Sequence, residues 1–442
     1  MTLRNLLPVI LLGIAAASAV HGQSDPADPV FSAVPFDRWL AEGDPAAFHW
    51  SVRIVGTELN SHQRLQTRLE VQIDGNELVN RRGHGQLIVM IQFQDSADHV
   101  YRTHGEIDLQ NVEDSTGKLN IQYFQDAMVV PGDYRVGVVI FDTKTKEHSA
   151  VQKPLHVNPL RSDPLPGAWS DLPAVELLRA MDPPDGWFLP YVTGRLHVPL
   201  VTRRPIRIEV LMNASASGTS RGLTAGTVNS RNLANMIPAL KLFSQMQGTE
   251  ANLHMTLLDV PKRSVVFEQD TAGQLDWNGV RAGLTAADPN KIDVHALEHR
   301  EQNAQYFVDQ VRERLLPERT PRQVEADPYR VLIVLSGPLV LDSVKHISPL
   351  EPLAKSQGKV YYIRYRLPAA RLPTAAPTFD PRSRYGGGRR SNPGAARQQV
   401  PDEAFDSLEP LLKPLQPRLF EVYSPDQFRK ALATMLEEIA RL

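Results

Sequence analysis

Ile206-Arg-Ile-Glu-Val-Leu-Met-Asn213-Ala-Ser215-Ala-Ser217 is the stretch that decides the fold. Ile206 to Met212 reads as a buried strand, and it delivers three short polar side chains, Asn213, Ser215 and Ser217, into the loop that follows. Downstream, Leu233, Met236, Ile237, Leu240 and Phe243 recur at helical spacing, and Leu253 to Leu258 and Ser264 to Phe267 predict two further strands. Ala304, Phe307, Val308, Val311 and Leu315 mark another helix, followed by the apolar strand Val331 to Leu335 and by Lys359 to Ile363. Strands alternating with helices predict a doubly wound α/β sheet over residues 205–442, and continuous apolar runs suit strands covered on both faces.

The last helix has the clearest local signals. Ser424 caps it, Pro425 takes the first helical position, Asp426 suits the positive terminus and Gln427 completes a capping box. Phe428, Ala431, Leu432, Met435 and Ile439 then line one face. An insertion rich in Arg, Gly and Pro at about residues 368–401 predicts disorder, because it has too few apolar residues to bury.

Residues 49–158 follow a different period. Leu65, Thr67, Leu69, Val71 and Ile73 alternate with polar residues, and Leu87, Val89, Ile91 and Phe93 form a second inward face. Leu119, Ile121 and Tyr123 make a third, and Tyr134, Val136, Val138 and Ile140, after the turn Pro131-Gly132-Asp133, a fourth. Short alternating strands without helical patterns between them predict an antiparallel β-sandwich of immunoglobulin-like type. Residues 23–48 are an N-terminal extension. Residues 159–204 hold many prolines, Trp169 and Trp187, and a short helix is expected near Ala174 to Met181. That stretch reads as a linker packed against a neighbour, because free tethers seldom carry such aromatic residues.

Composition narrows the function classes. A chain of 442 residues, 42% hydrophobic and 22% charged, has material for several globular cores. Its formal net charge of -2 provides no global field for nucleic acid. Residues 1–22 predict a signal peptide: Arg4 supplies the positive region, Leu6 to Ala19 the apolar region, and Ala17-Ser-Ala19 or Val20-His-Gly22 the cleavage site. Export to the periplasm or outside the cell is expected. With no cysteine, disulfides, thiolate metal sites and cysteine nucleophiles are excluded.

The element order over residues 205–442 resembles a von Willebrand factor A domain, and the sandwich in front of it resembles exported VWFA-related proteins first recognised in Acidobacteria. The matching points are the first strand running into Asn213-x-Ser215-x-Ser217, the strand Val331 to Leu335, and Arg418-Leu-Phe-Glu-Val-Tyr-Ser-Pro before the last helix. The resemblance implies a metal-ion-dependent adhesion site in which Asp-x-Ser-x-Ser, a Thr and a further Asp hold the ion. Here Asn213 replaces the first aspartate and Ser336-Gly337-Pro338 occupies the third loop. Mg²⁺ normally needs at least one carboxylate to offset dehydration, so the expected site is degenerate and metal-free. Asn213, Ser215, Ser217, Ser336 and Gly337 are expected to meet at a ligand-binding rim, since open α/β sheets bind at the carboxyl ends of their strands.

Three other readings are set beside this one. A metal-dependent adhesin would retain weak Mg²⁺ or Mn²⁺ binding despite Asn213. His295-Ala-Leu-Glu298-His299 fits the His-x-x-Glu-His of a zinc hydrolase, with His295 and His299 as ligands and Glu298 as base. The segment carrying Arg364, Arg366, Arg371, Arg382, Arg384, Arg389, Arg390 and Arg397 reads as a solvated insertion. Within it, Arg382, Arg384, Arg389 and Arg390 are the groups that would meet an anionic glycan or lipid surface. The favoured expectation is an exported protein-protein interaction scaffold, without catalysis, that contacts a protein ligand.

Overall fold

The period-two stretches pair into two antiparallel sheets whose apolar faces share one core. The structure, a computed structural model, describes residues 29–178, 192–215, 225–247, 251–271, 274–287, 299–315, 328–341, 347–353, 358–366 and 406–442. One sheet has the order β1 (Trp50–Leu59), β2 (Leu65–Asp74), β5 (Asn120–Val129), β8 (Val175–Leu177). The other runs β4 (Val100–Asp108), β3 (Gln86–Asp95), β6 (Gly132–Asp142), β7 (His148–Val157). Leu69, Val71 and Ile73 of β2 meet Leu87, Val89, Ile91 and Phe93 of β3 and Val136, Val138 and Ile140 of β6 in that core. Leu119 does not join them: it precedes β5, is 46% exposed, and uses its carbonyl to accept the Gly75 N–H at 2.9 Å.

From Leu87 to Phe93 the strand β3 is buried without a break, because its second face is also covered. Helices α1 (Pro29–Ser32) and α2 (Phe36–Glu42) of the N-terminal extension bring Phe31, Phe36 and Trp39 onto Ile88, Met90, Val139 and Phe141.

The helix expected near Ala174 is not formed over the described part of that span. Val175–Leu177 is instead β8, antiparallel to β5, with Val129 opposite Val175 and Ala127 opposite Leu177. Edge pairing satisfies the backbone there and sends Val175 into the shared core, which a turn of helix at this place would not do. Residues 179–181 lie outside the described residues.

The C-terminal half is a mixed six-stranded sheet flanked by helices. Its order is β13 (Ser264–Thr271), β12 (Ala251–Asp259), β10 (Ile206–Asn213), β14 (Tyr329–Ser336), β15 (Gly358–Tyr365), β16 (Arg418–Val422). All neighbours run parallel except the edge strand β13, which is antiparallel to β12. Ile206, Ile208, Val210 and Met212 face α4 (Ala225–Ser244), α5 (Trp277–Ala286) and α8 (Pro425–Ala440) on one side. Leu211, Leu332, Val334, Val360 and Tyr362 face α6 (Asn303–Leu315) and α7 (Leu408–Leu412) on the other. Burial from both sides explains why every residue of β14 is apolar or internally bonded.

Two local details bear on stability. At the start of α8, Ser424 Oγ accepts from Gln427 N at 3.3 Å, but the Gln427 side chain accepts from Tyr423 N at 2.6 Å, one residue before the cap. Helix α5 approaches β13 so closely that a Cβ at Gly283 would lie 2.6 Å from Val266 O. Alanine would gain about 1 kcal/mol of helix propensity, yet the clash with a backbone carbonyl costs about 1–3 kcal/mol through overpacking. Gly283→Ala is therefore expected to lower the urea midpoint; an unchanged or higher midpoint would show that α5 can slide on the sheet.

The two halves meet at a packed joint. Trp169 contacts both cores and donates Nε1–H to Gln63 O at 2.8 Å, while Gln63 Nε2 donates to Pro425 O at 3.1 Å. Arg429 of α8 forks onto Asp163, with Nε to Oδ1 at 2.6 Å and Nη2 to Oδ2 at 2.8 Å, and its guanidinium lies 4.6 Å from the Trp169 ring centre. Trp187 lies outside the described residues.

Candidate ligand-binding rim

The parallel register aligns a polar row at the carboxyl ends of four strands. Met212 lies opposite Leu335, so Asn213 and Ser336 follow at one level; Ser336 lies opposite Arg364, and Arg364 opposite Glu421. Paired residues of neighbouring parallel strands share a face. Asn213, Ser336, Arg364 and Glu421 thus continue the face of Leu211, Val334 and Tyr362, just past the apolar core. β10 and β14 are also where the strand order reverses, the place where open α/β sheets form a crevice.

Asn213, Ser215 and Ser336 do come together, but as a buried and internally bonded lock. Their exposures are 3%, 4% and 0%. Asn213 Oδ1 accepts from Ser215 N at 3.0 Å and from Ser215 Oγ at 2.5 Å, and Asn213 Nδ2 donates to Ser336 Oγ at 3.0 Å. A backbone N–H can only donate, so the atom facing Ser215 N must be the amide oxygen, which fixes the amide nitrogen toward Ser336. Ser215 Oγ accepts from Val260 N at 2.8 Å, tying the loop after β10 to the turn after β12. Ser336 Oγ donates to Gly337 O at 2.6 Å. Ser217, predicted to join them, lies outside the described residues.

This donor set does not fit a divalent cation. A Mg²⁺ or Mn²⁺ ion needs oxygen lone pairs, preferably anionic, whereas Asn213 presents an N–H where the aspartate would present an oxygen. Among the described residues, no three His, Asp or Glu side chains converge as metal ligands. Asn213→Asp in EDTA is expected to cost about 1–3 kcal/mol, because the buried Nδ2 donor is replaced by a charged acceptor. Chemical denaturation checks this, and an unchanged stability would mean that the lock is not buried as described.

The charged end of the row is organised around Arg364. Its Nη1 donates to Asp406 Oδ2 at 3.0 Å and to Glu409 Oε2 at 2.7 Å, and its Nη2 bonds Glu421. Asp406 also accepts from Tyr362 OH at 2.8 Å and from Leu339 N and Leu408 N, both at 3.2 Å. Burial alone would lower the Arg364 pKa, but the hydrogen bonds it donates to Glu421, Asp406 and Glu409 raise it above its ordinary value. Burial and the neighbouring Asp406 push the Tyr362 phenol well above its ordinary value. The sequence reading counted Arg364 among solvated arginines; the structure corrects this, since Arg364 is 5% exposed within β15 and matched by carboxylates. Its partner Asp406 went unnoticed because it returns only after the long insertion.

Outside the lock the rim carries exposed apolar groups. Val340, shortly after β14, and Tyr423, after β16, are 42% and 44% exposed. The arginines Arg382, Arg384, Arg389 and Arg390 lie outside the described residues, as do His295 and Glu298. His299 is described: its backbone is left-handed at φ 56° and ψ 37°, and its Nδ1 lies 3.4 Å from Glu301 Oε1. A residue in that conformation does not continue a helix, and the remainder of the His-x-x-Glu-His pentapeptide lies outside the described residues. The chain matches no family model and no curated protein.

Proposed function

We propose that this chain is an exported interaction scaffold whose C-terminal half is an A-like domain that contacts a protein ligand at its rim without a divalent ion. The observation that carries the reading is the Asn213 amide, turned so that its N–H rather than an oxygen faces Ser336 at the crevice between β10 and β14. The sheet order, with its antiparallel edge β13, supports the A-like layout implied by the sequence. For the N-terminal half, Tyr134 near the start of β6 donates its hydroxyl back to Val130 O at 2.8 Å. That tyrosine-corner geometry, with two sheets sharing one core, supports an immunoglobulin-like sandwich.

Export is read from the apolar segment of residues 1–22. Among the described residues, no helix is long and apolar enough to cross a membrane. With the crevice closed by its own hydrogen bonds, contact falls to the exposed surface around it, where Val340 and Tyr423 offer apolar area beside polar groups.

Photo-cross-linking tests this reading. A photoreactive side chain at Val340 or Tyr423 is expected to give an adduct with a protein ligand in cell-envelope material, unchanged by EDTA. The same label at exposed Val55 or Phe124 of the sandwich serves as reference. Adducts confined to the sandwich positions, or lost in EDTA, would overturn it.

A further inference from the structure

The outer face of the sheet that holds β3, β6 and β7 is apolar, although it points away from the core that the two sheets share. Ile88 and Met90 of β3, Val139 and Phe141 of β6 and Ala150 of β7 are buried there under a strap made by α1 and α2. The fit is particular. A Cβ at Gly137 would lie 2.6 Å from Leu40 Cδ1, so this glycine of β6 is the notch that seats Leu40. The Trp39 ring stacks on His148 with centres 4.2 Å apart and planes at 16°. The Arg102 guanidinium lies 5.2 Å from the centre of the Phe31 ring and 5.4 Å from that of Phe36, and it bonds Asp37 of α2.

The strap depends on that face. Its helices have 4 and 7 residues, and isolated helices shorter than about 12–15 residues are marginal in water. Its backbone bonds close on the strap itself, Ala33 N to Pro29 O at 3.1 Å, Trp39 N to Pro35 O at 3.0 Å and Gly43 N to Trp39 O at 3.2 Å, while side chains fasten it to the sheet. A strap lifted away would leave an apolar patch in water, which drives association. The hinge that follows is built to straighten. Residues 43–47 carry no regular secondary structure, and residues 43–46 are exposed. Pro45 fixes its own φ and biases Asp44 toward extended backbone. The closed hinge instead turns at Gly43, with φ 87°, and at Ala46, with φ 56°, where Asp44 Oδ1 accepts the Ala46 N–H at 2.9 Å. Left-handed backbone is costly for a residue with a Cβ, so Ala46 sheds a strain when the hinge extends.

We propose that the strap is exchanged between two copies of this chain, residues 29–42 of each lying on the outer sheet face of the other's sandwich, with the hinge at residues 43–47 extended. The occupant of the face is fixed by the contacts above: the Leu40 notch, the Trp39 stack and the Arg102 clasp fit this strap, and a second copy supplies the same one. Five extended residues reach about 17 Å, which carries the strap from its own sheet to a neighbour's. Reciprocal exchange remakes every closed contact in a two-fold dimer and releases Ala46 in both chains. What opposes it is the entropy of association, so the dimer gains with concentration.

The test uses the full chain, incubated warm at rising concentration and resolved by size exclusion with light scattering. Monomer and dimer are expected, with the dimer share rising with concentration. Ala46→Gly removes the strain from the closed hinge and is expected to lower the dimerisation constant about 25-fold, about fivefold for each hinge. A disulfide then reports which chain covers which face, since the chain has no cysteine of its own. In Leu40→Cys/Gly137→Cys the clashing Leu40 Cδ atoms are gone, and the new sulfur takes the place of Leu40 Cγ, 3.5 Å from a Cβ at residue 137. Oxidation of the dimer fraction is expected to give covalent dimers on a non-reducing denaturing gel, and oxidation of the monomer fraction only internally linked monomers. A wild type that stays monomeric at every concentration, a dimer whose disulfides all close within one chain, or a dimer that Ala46→Gly leaves undiminished would overturn the proposal. If the cysteine variant fails to fold, the wild type and Ala46→Gly decide the matter between them.

Discussion

Arg364→Met is expected to destabilise the C-terminal half by about 3–5 kcal/mol, the usual cost of removing one partner from a buried ion network. Methionine keeps most of the volume, so packing changes little and the loss is electrostatic. Asp406, 5% exposed, loses its guanidinium and, among the described residues, keeps Tyr362 OH and two backbone N–H groups. Glu421 retains Arg366, at 3.1 Å, and Glu409 turns to solvent. Asp406 also anchors Leu339 N, so the loop after β14 loosens with it. Arg364→Lys should recover only part, since an ammonium cannot fork across three carboxylates. Urea unfolding followed by far-UV circular dichroism measures the effect. A loss below about 1 kcal/mol, the range of exposed pairs, would mean that solvent reaches the network.

Arg429→Ala is expected to uncouple the two halves. Arg429 is 1% exposed, its fork onto Asp163 spans the joint, and Nη2 also reaches Leu165 O at 2.8 Å. Burial alone would raise the Asp163 pKa, but the hydrogen bond from Arg429, the Leu165 N–H and the charge of Arg429 together hold that carboxyl below its ordinary value. Truncation leaves the half-buried Asp163 without its counter-charge and removes the cation over Trp169, at about 3 kcal/mol for the pair. Because these contacts join two separate cores, the loss should appear as one calorimetric transition splitting into two. Asp163→Ala should do the same, and the double variant should cost clearly less than the sum of the singles. Independent, additive effects with a single transition would show that the joint is held by Trp169 packing alone.

Much of the layout was legible because period survives in the sequence wherever a face is uniformly buried. β2 alternates because one of its sides faces the core, and β14 is apolar without a break from Val331 to Leu335 because helices cover both. The meeting of Asn213 with Ser336 was also legible, since the loops after neighbouring parallel strands must converge. What failed was short or long-range. Val175–Leu177 is too brief for either period to declare itself, and only its pairing with β5 makes it a strand. Arg364 looked solvated because the residues that follow it are basic and its partner Asp406 stands 42 positions away. Arg429 and Asp163 are separated by 266 positions, and nothing local to either announces the other.

The direct test of the proposed metal-independent rim is a calorimetric titration of the EDTA-treated full chain with Mg²⁺ and Mn²⁺, paired with thermal unfolding at each concentration. An ion at about 100 times its dissociation constant would add roughly 2.7 kcal/mol, enough to move the transition by several degrees. The account predicts no saturable heat and no shift with either ion. A saturable one-site isotherm that raises the unfolding temperature in the wild type and disappears in Asn213→Ala would contradict it.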